Sequence, residues 1–569
     1  MRDGRILASH ETPRDMVDRV VAALTDVESR FGTGVRERRV LADELGHLLD
    51  AKKVVMSTPI LNNAGRHLGK PLSACSVPPV NLRGDLRAVK KTIDRYHADG
   101  MGTGFNLDDT DDPVSMLRFL NHVAVQGVAS GIEDRPVGNM ATLSVHHPRI
   151  LDFIDAKAGV ESNGEIWKFN ISVDATDGFM HAVARGTSYG LHDGRRLDAR
   201  EVFHRITRRA QEGGDPGLIF LDRMNKDNPT PAVGAYVSTA PCAEVGLLPG
   251  ETCQFGYLNV GQFVRDDPYG VPWVDYTGIE CATMLMTRVL DNALDISIAR
   301  YQNSGSRKVM RMKRKIGVGL CGLADLLVRL RIPYDSDRAR EVSSELVMFI
   351  NFASKRASYD LGRQRGSCGA MRLRSGNRYF NTPGYLEQKY APYSTSLVTS
   401  AAWKELSSAI RTTGTLRNVT TVALPPTGRS GPIIDASTGV EPLFTLFDPE
   451  IGINASLRKD LRMLGLLKPR LLRAIASTGR IGALTDLPAV LRKVYRTALE
   501  ISPKGHLLAV ASMQHAVDES ISKTINMPTN ATAADVADIY RSAYELGLKG
   551  ITIYRTGSRT DQPRALAVL

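Results

Sequence analysis

The sequence predicts an α/β protein with a largely parallel sheet, and three observations carry that prediction. Glycine-rich or apolar runs of strand character recur along most of the chain: GTGFNL (102–107), IWKFNISV (166–173), GLIFL (217–221), IGVGL (316–320), NVTTVALP (418–425) and GITIY (550–554). Amphipathic helical stretches fill the intervals, as near 282–302, 336–362 and 533–546, and strand–helix alternation of this length marks parallel pairing through crossover helices. The 569 residues are 43% hydrophobic and 24% charged, which supplies a large core and excludes wholesale disorder. Periodicity alone does not choose between a barrel and an open sheet.

The first element is a helix. Thr12 to Asp15 forms a capping box with Pro13 at the first helical position. Val17, Val20, Leu24, Val27 and Phe31 then recur at helical spacing until Gly32. A second helix is expected near 38–53. Late in the chain, Thr532 and Asp535 open another helix, which Gly547 closes just before GITIY. GVGLCG (317–322) matches a dinucleotide-binding glycine pattern, but RKVMRMKRK stands where that fingerprint needs a hydrophobic strand. A tight turn packed on a helix is the expectation there. The chain is expected to divide into a helical region (1–55), a catalytic α/β domain (56–559) and a frayed tail (560–569).

A net charge of +12 favours an anionic ligand such as a nucleotide, although a solvated basic surface accounts for it equally well. No nucleic-acid-binding module is visible. The N-terminus lacks the apolar stretch of a signal peptide, and no apolar run spans a bilayer. Six sparse cysteines without a CxxC pair argue for a reducing, cytoplasmic setting and against a disulfide scaffold or a metal site.

Residues 239–260, TAPCAEVGLLPGETCQFGYLNV, hold two of those cysteines. In an extended segment Ala240, Cys242 and Glu244 share one face, which places a thiol and a carboxylate over one ligand. Taken alone, the same residues also read as a small apolar filler beside a solvated acid.

The surroundings favour the first alternative. PCAEVGLLPGETCQFGYLNVGQF resembles the catalytic segment of ribonucleotide reductases, most closely the adenosylcobalamin-dependent class II enzymes. The resemblance continues in order through STPILNNAG (57–65), LSAC (72–75), GMGTGFN (100–106), RPVGNMATLSVHHPRILDFI (135–154), WKFNISV (167–173), KIGVGLCGLADLL (315–327), RNVTTVALPPTGRSGPIIDASTGVEPLF (417–444), SISKTINMP (520–528) and YELGLKGITIYRTGSR (544–559). It implies a ten-stranded α/β barrel with a central finger loop. Cys242 would become a thiyl radical and take the 3′ hydrogen of a ribonucleotide. Glu244 would accept the 3′-hydroxyl proton, and Cys75 and Cys253 would supply the reducing electrons and close as a disulfide. Thr58, the backbone at Gly102, and Thr427, Gly428, Arg429 and Ser430 would hold the substrate, the last four as a phosphate seat at a helix start. Cys281, Cys321 and Cys368 are left as packing residues.

Class I relatives carry a tandem tyrosine near the C-terminus, whereas ITIYRTGSR has only Tyr554; no glycyl-radical motif is visible. The resemblance therefore implies adenosylcobalamin as radical source, a ribonucleoside di- or triphosphate as substrate, an external dithiol or thioredoxin-like reductant, and a monomer or homodimer. Three departures matter. Ala240 stands where the family has an asparagine that holds the 2′ hydroxyl. GTGFNLDDTDDPVSMLRFL lacks most of the segment that builds the effector site next to the loop around Arg135–Asn139. The chain ends at RALAVL without a re-reducing cysteine pair. They imply weak effector control, and they leave two alternatives open: altered radical chemistry on a ribose, and a silent nucleotide-binding protein.

Overall fold

The computed structural model describes residues 6–7, 11–132, 137–159, 166–372 and 383–558. The expected tail and Arg135 lie outside these residues. Helix α1 (Pro13–Asp26) starts as its capping box dictates, with the Thr12 side chain accepting the Asp15 N–H and the Asp15 carboxylate accepting the Thr12 N–H. A 3-10 turn over Val27–Phe31 prolongs it to Gly32, which takes a left-handed φ of 75°. Helix α2 (Val35–Asp50) follows, slightly earlier than expected.

A buried carboxylate ties this region to the rest. Glu28 is fully buried and accepts hydrogen bonds from Arg288 (2.6 and 2.9 Å) and Asn292 (2.8 Å), with Arg365 also paired to it. Burial alone would raise its pKa, but these donors and the Arg365 charge draw it down to about 2. Arg288 and Asn292 belong to α3 (Tyr276–Arg300), whose long buried face makes it a core helix rather than a surface one. Arg365 ends α4 (Asp337–Arg365).

Around this frame the strands close into a barrel built of two parallel halves. After β1 (Val54–Met56), the first half runs β2 (Cys75–Ser76), β3 (Gly102–Asn106), β4 (Asn139–Ser144), β5 (Phe169–Asp174) and β6 (Gly217–Ile219), each parallel to the next. A short hairpin, β7 (Ser238–Thr239) and β8 (Gly246–Leu247), leaves the wall between the halves. The second half comprises β9 (Thr252–Cys253) continued by β10 (Phe255–Asn259), β11 (Gly317–Cys321), the extended run 418–425, β12 (Thr524–Met527) and β13 (Gly550–Arg555). Parallel pairing joins β10 to β11 and β12 to β13, and single parallel bridges, Val318 to Val422 and Leu424 to Ile521, link the run 418–425 to its neighbours. The halves meet antiparallel at β6–β13 and at β2–β9. Five strands and five strands, among the described residues, thus close the expected ten-stranded barrel.

Two sequence expectations change. GVGLCG is not a turn: Gly317 to Cys321 is β11 itself, buried throughout. Its glycines face aromatic rings on β10. A Cβ at Gly317 would lie 2.4 Å from the Phe255 ring, and one at Gly319 would lie 3.1 Å from the Tyr257 ring. The tight turn is confined to Gly322, φ 71°, at the start of a helix over Leu323–Arg329. Cys321 and Cys368 are buried as expected, but Cys281 is exposed. It falls on the outer side of α3 and lines a groove of about 920 Å³ with Leu48, Lys53, Phe263 and Ala282. None of the candidate site residues lines that groove.

The acidic turn after β3 is only partly solvated. Asp108 accepts the Ser144 N–H at 2.6 Å, and Asp112 caps the helix that begins at Pro113 and pairs with Arg149 at 2.8 Å. Asp109 and Asp111 remain exposed. No helix of the described residues is long and apolar enough to cross a membrane.

Candidate active site

The hairpin between the barrel halves carries Cys242 and Glu244. Its strands pair Gly246 with Thr239 and Leu247 with Ser238. The tip is a turn: the Ala243 N–H reaches the Ala240 carbonyl at 2.9 Å, and the Ala240 N–H reaches the Val245 carbonyl at 3.1 Å. Pro241 pre-sets the second turn position, and Ala243 takes a left-handed φ of 59°. The extended geometry expected for residues 240–244 is therefore replaced by a chain reversal. Cys242 and Glu244 come together through that turn and not through strand alternation.

The hairpin reaches inward because the wall opposite it is glycine. Residues 102 and 104 lie on one face of β3, since strand side chains alternate. A Cβ at Gly104 would lie 2.0 Å from the Thr239 carbonyl oxygen; one at Gly102 would lie 2.9 Å from the Gly138 oxygen and 3.0 Å from Pro241. GMGTGFN is thus the space into which the finger fits. The Gly102 N–H donates to the Ala74 carbonyl at 2.8 Å, so this amide is spent on the sheet. We expect Gly104→Ala to displace the finger. Overpacking against backbone costs about 1–3 kcal/mol, and the variant should fold with kcat lowered by about tenfold or more, measured beside a thermal melt.

Cys242 is exposed, and it lines a cavity of about 220 Å³. Burial pushes its pKa well up, and Glu244 and Cys75 push in the same direction. A raised pKa unsuits a thiol for nucleophilic attack or metal binding, which need the thiolate. It keeps the hydrogen on sulfur, as hydrogen-atom transfer requires. Glu244 is 3% exposed, and burial raises its carboxyl to about 7, with its own amide and that of Cys242 partly offsetting the shift. Its Oε2 has no hydrogen-bond partner. The Ser520 N–H holds the Glu244 backbone carbonyl at 2.9 Å. Such a carboxyl can take and return a proton near neutral pH.

Cys75 and Cys253 face each other across the β2–β9 joint as register partners. Neither is in a disulfide, and the Cys253 thiol points to the Cys75 carbonyl at 3.8 Å. Directly opposed residues of an antiparallel pair have Cα atoms about 4.5–5.5 Å apart, inside the range a disulfide spans.

The loop expected to hold phosphate, Thr427–Ser430, lies next to β1. The Ser430 hydroxyl donates to the Met56 carbonyl at 3.0 Å, which joins the loop 427–430 to the chain just before Thr58. Ser430 begins only a single helical turn, Ser430–Ile433, and its N–H is taken by the Thr427 carbonyl. The hydroxyls of Thr427 and Ser57 are buried without partners, Gly428 adopts a φ of 53°, and Arg429 is exposed. Thr58 is half-buried at the start of the helix Thr58–Asn63.

Tyr257 is a site residue the sequence did not single out. Its hydroxyl donates to the Pro426 carbonyl at 3.2 Å, and its pKa is raised well above the usual value by burial, then by Glu244, Cys253, Cys321 and Cys75. It links the cysteine pair and Glu244 to the loop that holds Thr427. Only the glycine facing it at 319 could have signalled a ring at that position. Asn170 was also missed; its amide donates to the Pro241 carbonyl at 3.2 Å and lines the cavity beside Cys242. Ala240 is fully buried and offers no polar side-chain atom.

Fold and site together define a class: a ten-stranded α/β barrel that carries a hydrogen-bearing thiol inward on a hairpin, beside an acid and a cross-strand cysteine pair. Residues 102–554 match the ribonucleotide reductase barrel domain, and residues 2–69 match the all-alpha domain of the same enzymes. A vitamin B12-dependent ribonucleoside-diphosphate reductase of Mycobacterium tuberculosis (strain CDC 1551 / Oshkosh) is 32% identical over 97% of this chain and 77% of its own length. A protein of that description from Thermoplasma acidophilum is 33% identical over 91% of this chain and 66% of its own. The solved alpha subunit of the Actinobacillus ureae class Id ribonucleotide reductase superposes with a TM-score of 0.76 at 19% identity, covering 100% of this chain and 98% of that one. The chain belongs to the ribonucleotide reductase family.

Proposed function

We propose that this protein reduces ribonucleotides to 2′-deoxyribonucleotides by thiyl-radical chemistry, with adenosylcobalamin as the radical source. The observation that carries the proposal is the convergence of a high-pKa thiol, a carboxyl near 7 and a cross-strand cysteine pair on one hairpin and the barrel wall facing it. The cavity beyond Cys242 suits a nucleoside arm of the cofactor. It is of nucleoside size, and the polar residues Asn170, Ser172, Ser522, Thr524 and Thr552 are among those that line it. When bound, adenosylcobalamin would supply the radical equivalent that takes up the hydrogen atom of the Cys242 thiol and leaves a thiyl radical.

From there the chain's own residues act. The Cys242 radical takes the 3′ hydrogen of the substrate, and the sulfur becomes a thiol again. Glu244 accepts the 3′-hydroxyl proton, which eases departure of the 2′ oxygen as water. Cys75 and Cys253 give up two electrons and two protons overall and close as a disulfide, so that one hydroxyl is exchanged for hydrogen and one water is released. Cys242 then returns the hydrogen to C3′ and recovers its radical. Thr58 and the loop Thr427–Ser430 hold the substrate and its phosphates. The two vitamin B12-dependent relatives named above are described as diphosphate reductases, and a ribonucleoside diphosphate is the expected substrate, with an external dithiol restoring Cys75 and Cys253.

The test is incubation with adenosylcobalamin, a dithiol and each ribonucleotide, followed by product mass spectrometry; absence of any deoxynucleotide would defeat the proposal. Ala240 supports a second reading, altered radical chemistry on a ribose. Its methyl cannot hold a 2′ hydroxyl, a contact worth about 1–3 kcal/mol, and a modified ribose other than a deoxyribose would identify that outcome. We also expect one turnover without reductant to leave Cys75 joined to Cys253. Peptide mapping of quenched enzyme checks this, and two free thiols after product formation would remove them from the reductant role.

A further inference from the structure

The base of the finger rests on charges that the proposed chemistry does not use. Lys313, Lys315, Glu251 and Glu519 are all at most 4% exposed, and they form one cluster with Tyr236. Lys315 Nζ donates to the Gly246 carbonyl at 2.7 Å, lies 2.9 Å from Glu519 and 3.3 Å from Glu251. Lys313 pairs with Glu251 at 2.8 Å. Glu251 accepts the Leu248 N–H at 2.9 Å. The Tyr236 ring lies 4.5 Å from both ammonium groups, and its hydroxyl donates to Glu519 at 3.4 Å. Next to Glu519, the Ser520 N–H holds the Glu244 carbonyl.

The strand that leaves the finger tip is therefore gripped at Glu244, Gly246 and Leu248, in each case through a backbone group. Burying four charges is costly, and hydrophobic residues of similar volume often serve stability as well or better. Stability alone gives little reason for this cluster to be ionic. What ions provide here is directional bonding to the backbone of a short hairpin, from Lys315 to the Gly246 carbonyl and from the Leu248 N–H to Glu251. Arg314 between the two lysines takes a left-handed φ of 47°, and its side chain turns away to Asp291 and Asp295 while both lysines face the finger base.

We infer that Lys315 and Glu519 are positioning residues, which set the seat of the finger and thereby the placement of Cys242 and Glu244. This rests on those two residues being the reacting pair. The experiment is Lys315→Met combined with Glu519→Gln, which removes one charge of each sign and leaves the Lys313–Glu251 pair intact. The expected result is a cooperatively folding protein with kcat lowered by about tenfold or more while KM moves by less than about threefold. Iodoacetamide labelling of Cys242, mapped by peptide mass spectrometry without cofactor, should quicken several-fold as the thiol leaves its seat. Lys315→Arg, which keeps the charge and the donor, should recover part of both effects. Where the double variant does not fold, Glu519→Gln and Tyr236→Phe are read by the same two measurements. Folded variants with unchanged kcat and unchanged Cys242 labelling would overturn the inference. Labelling requires no turnover, so it separates this inference from the assignment of Cys242 itself.

Discussion

Cys242→Ser is expected to abolish turnover and to leave nucleotide binding intact. Serine is close in size, and the turn that presents residue 242 is held by backbone bonds and Pro241, so the finger keeps its place. What is lost is the weak S–H bond. An oxygen radical lies far above a thiyl radical in energy, and an added barrier of even about 6 kcal/mol lowers a rate by about 10⁴-fold. Product formation should drop below detection, while calorimetric binding of a ribonucleoside diphosphate stays within about threefold of the parent. A serine variant that turns over at a comparable rate would show that another group carries the radical.

Glu244→Gln is expected to lose activity and gain stability. General acid–base groups contribute about 10²–10⁴-fold to a rate, and a loss in that range is expected. With Glu244 at about 7 in the folded protein, the rate of the parent should rise with pH through about 7, and this limb should be absent in the glutamine variant. The stability effect has a definite sign. A carboxyl raised by burial binds its proton more tightly when folded than when unfolded, so the folded state loses stability as pH rises from about 4.5 to about 7. The shift from 4.5 to about 7 corresponds to roughly 3 kcal/mol. Above pH 7 the glutamine variant should resist urea better than the parent by up to that amount, and the two should converge below about pH 4.5. Equal stabilities at pH 8 would show that Glu244 does not sit in the low-dielectric setting described.

The same residues show what a linear reading reaches. Thr12, Asp15 and Pro13 determine where α1 begins, and Thr532 with Asp535 do so for the helix before β13, because a cap involves groups three residues apart. The glycines of GMGTGFN and GVGLCG are visible in the sequence, but their purpose is not. One set admits the finger and the other admits the rings of Phe255 and Tyr257, and both partners come from distant segments. Residues 418–425 read as a strand and do run in the barrel wall, joined to each neighbour by one parallel bridge and by further backbone hydrogen bonds such as that from the Val318 N–H to the Thr421 carbonyl at 2.7 Å.

The sequence by itself determined the α/β class, the helix boundaries set by caps, and the inventory of thiols and acids in and around residues 239–260. These follow from local rules, the alternation of side chains and hydrogen bonds between near neighbours. The tertiary structure alone decided that Cys75 stands opposite Cys253, since that register depends on two barrel halves meeting antiparallel at one joint. It alone replaced the extended segment at 240–244 by a turn, enlisted Tyr257 and put Cys281 on the outside. It also decided the chemistry of the two central groups. A thiol pushed further from its thiolate form and a carboxyl drawn up to neutral pH are consequences of desolvation, and desolvation is a property of everything packed around a residue, most of which lies far from it along the chain.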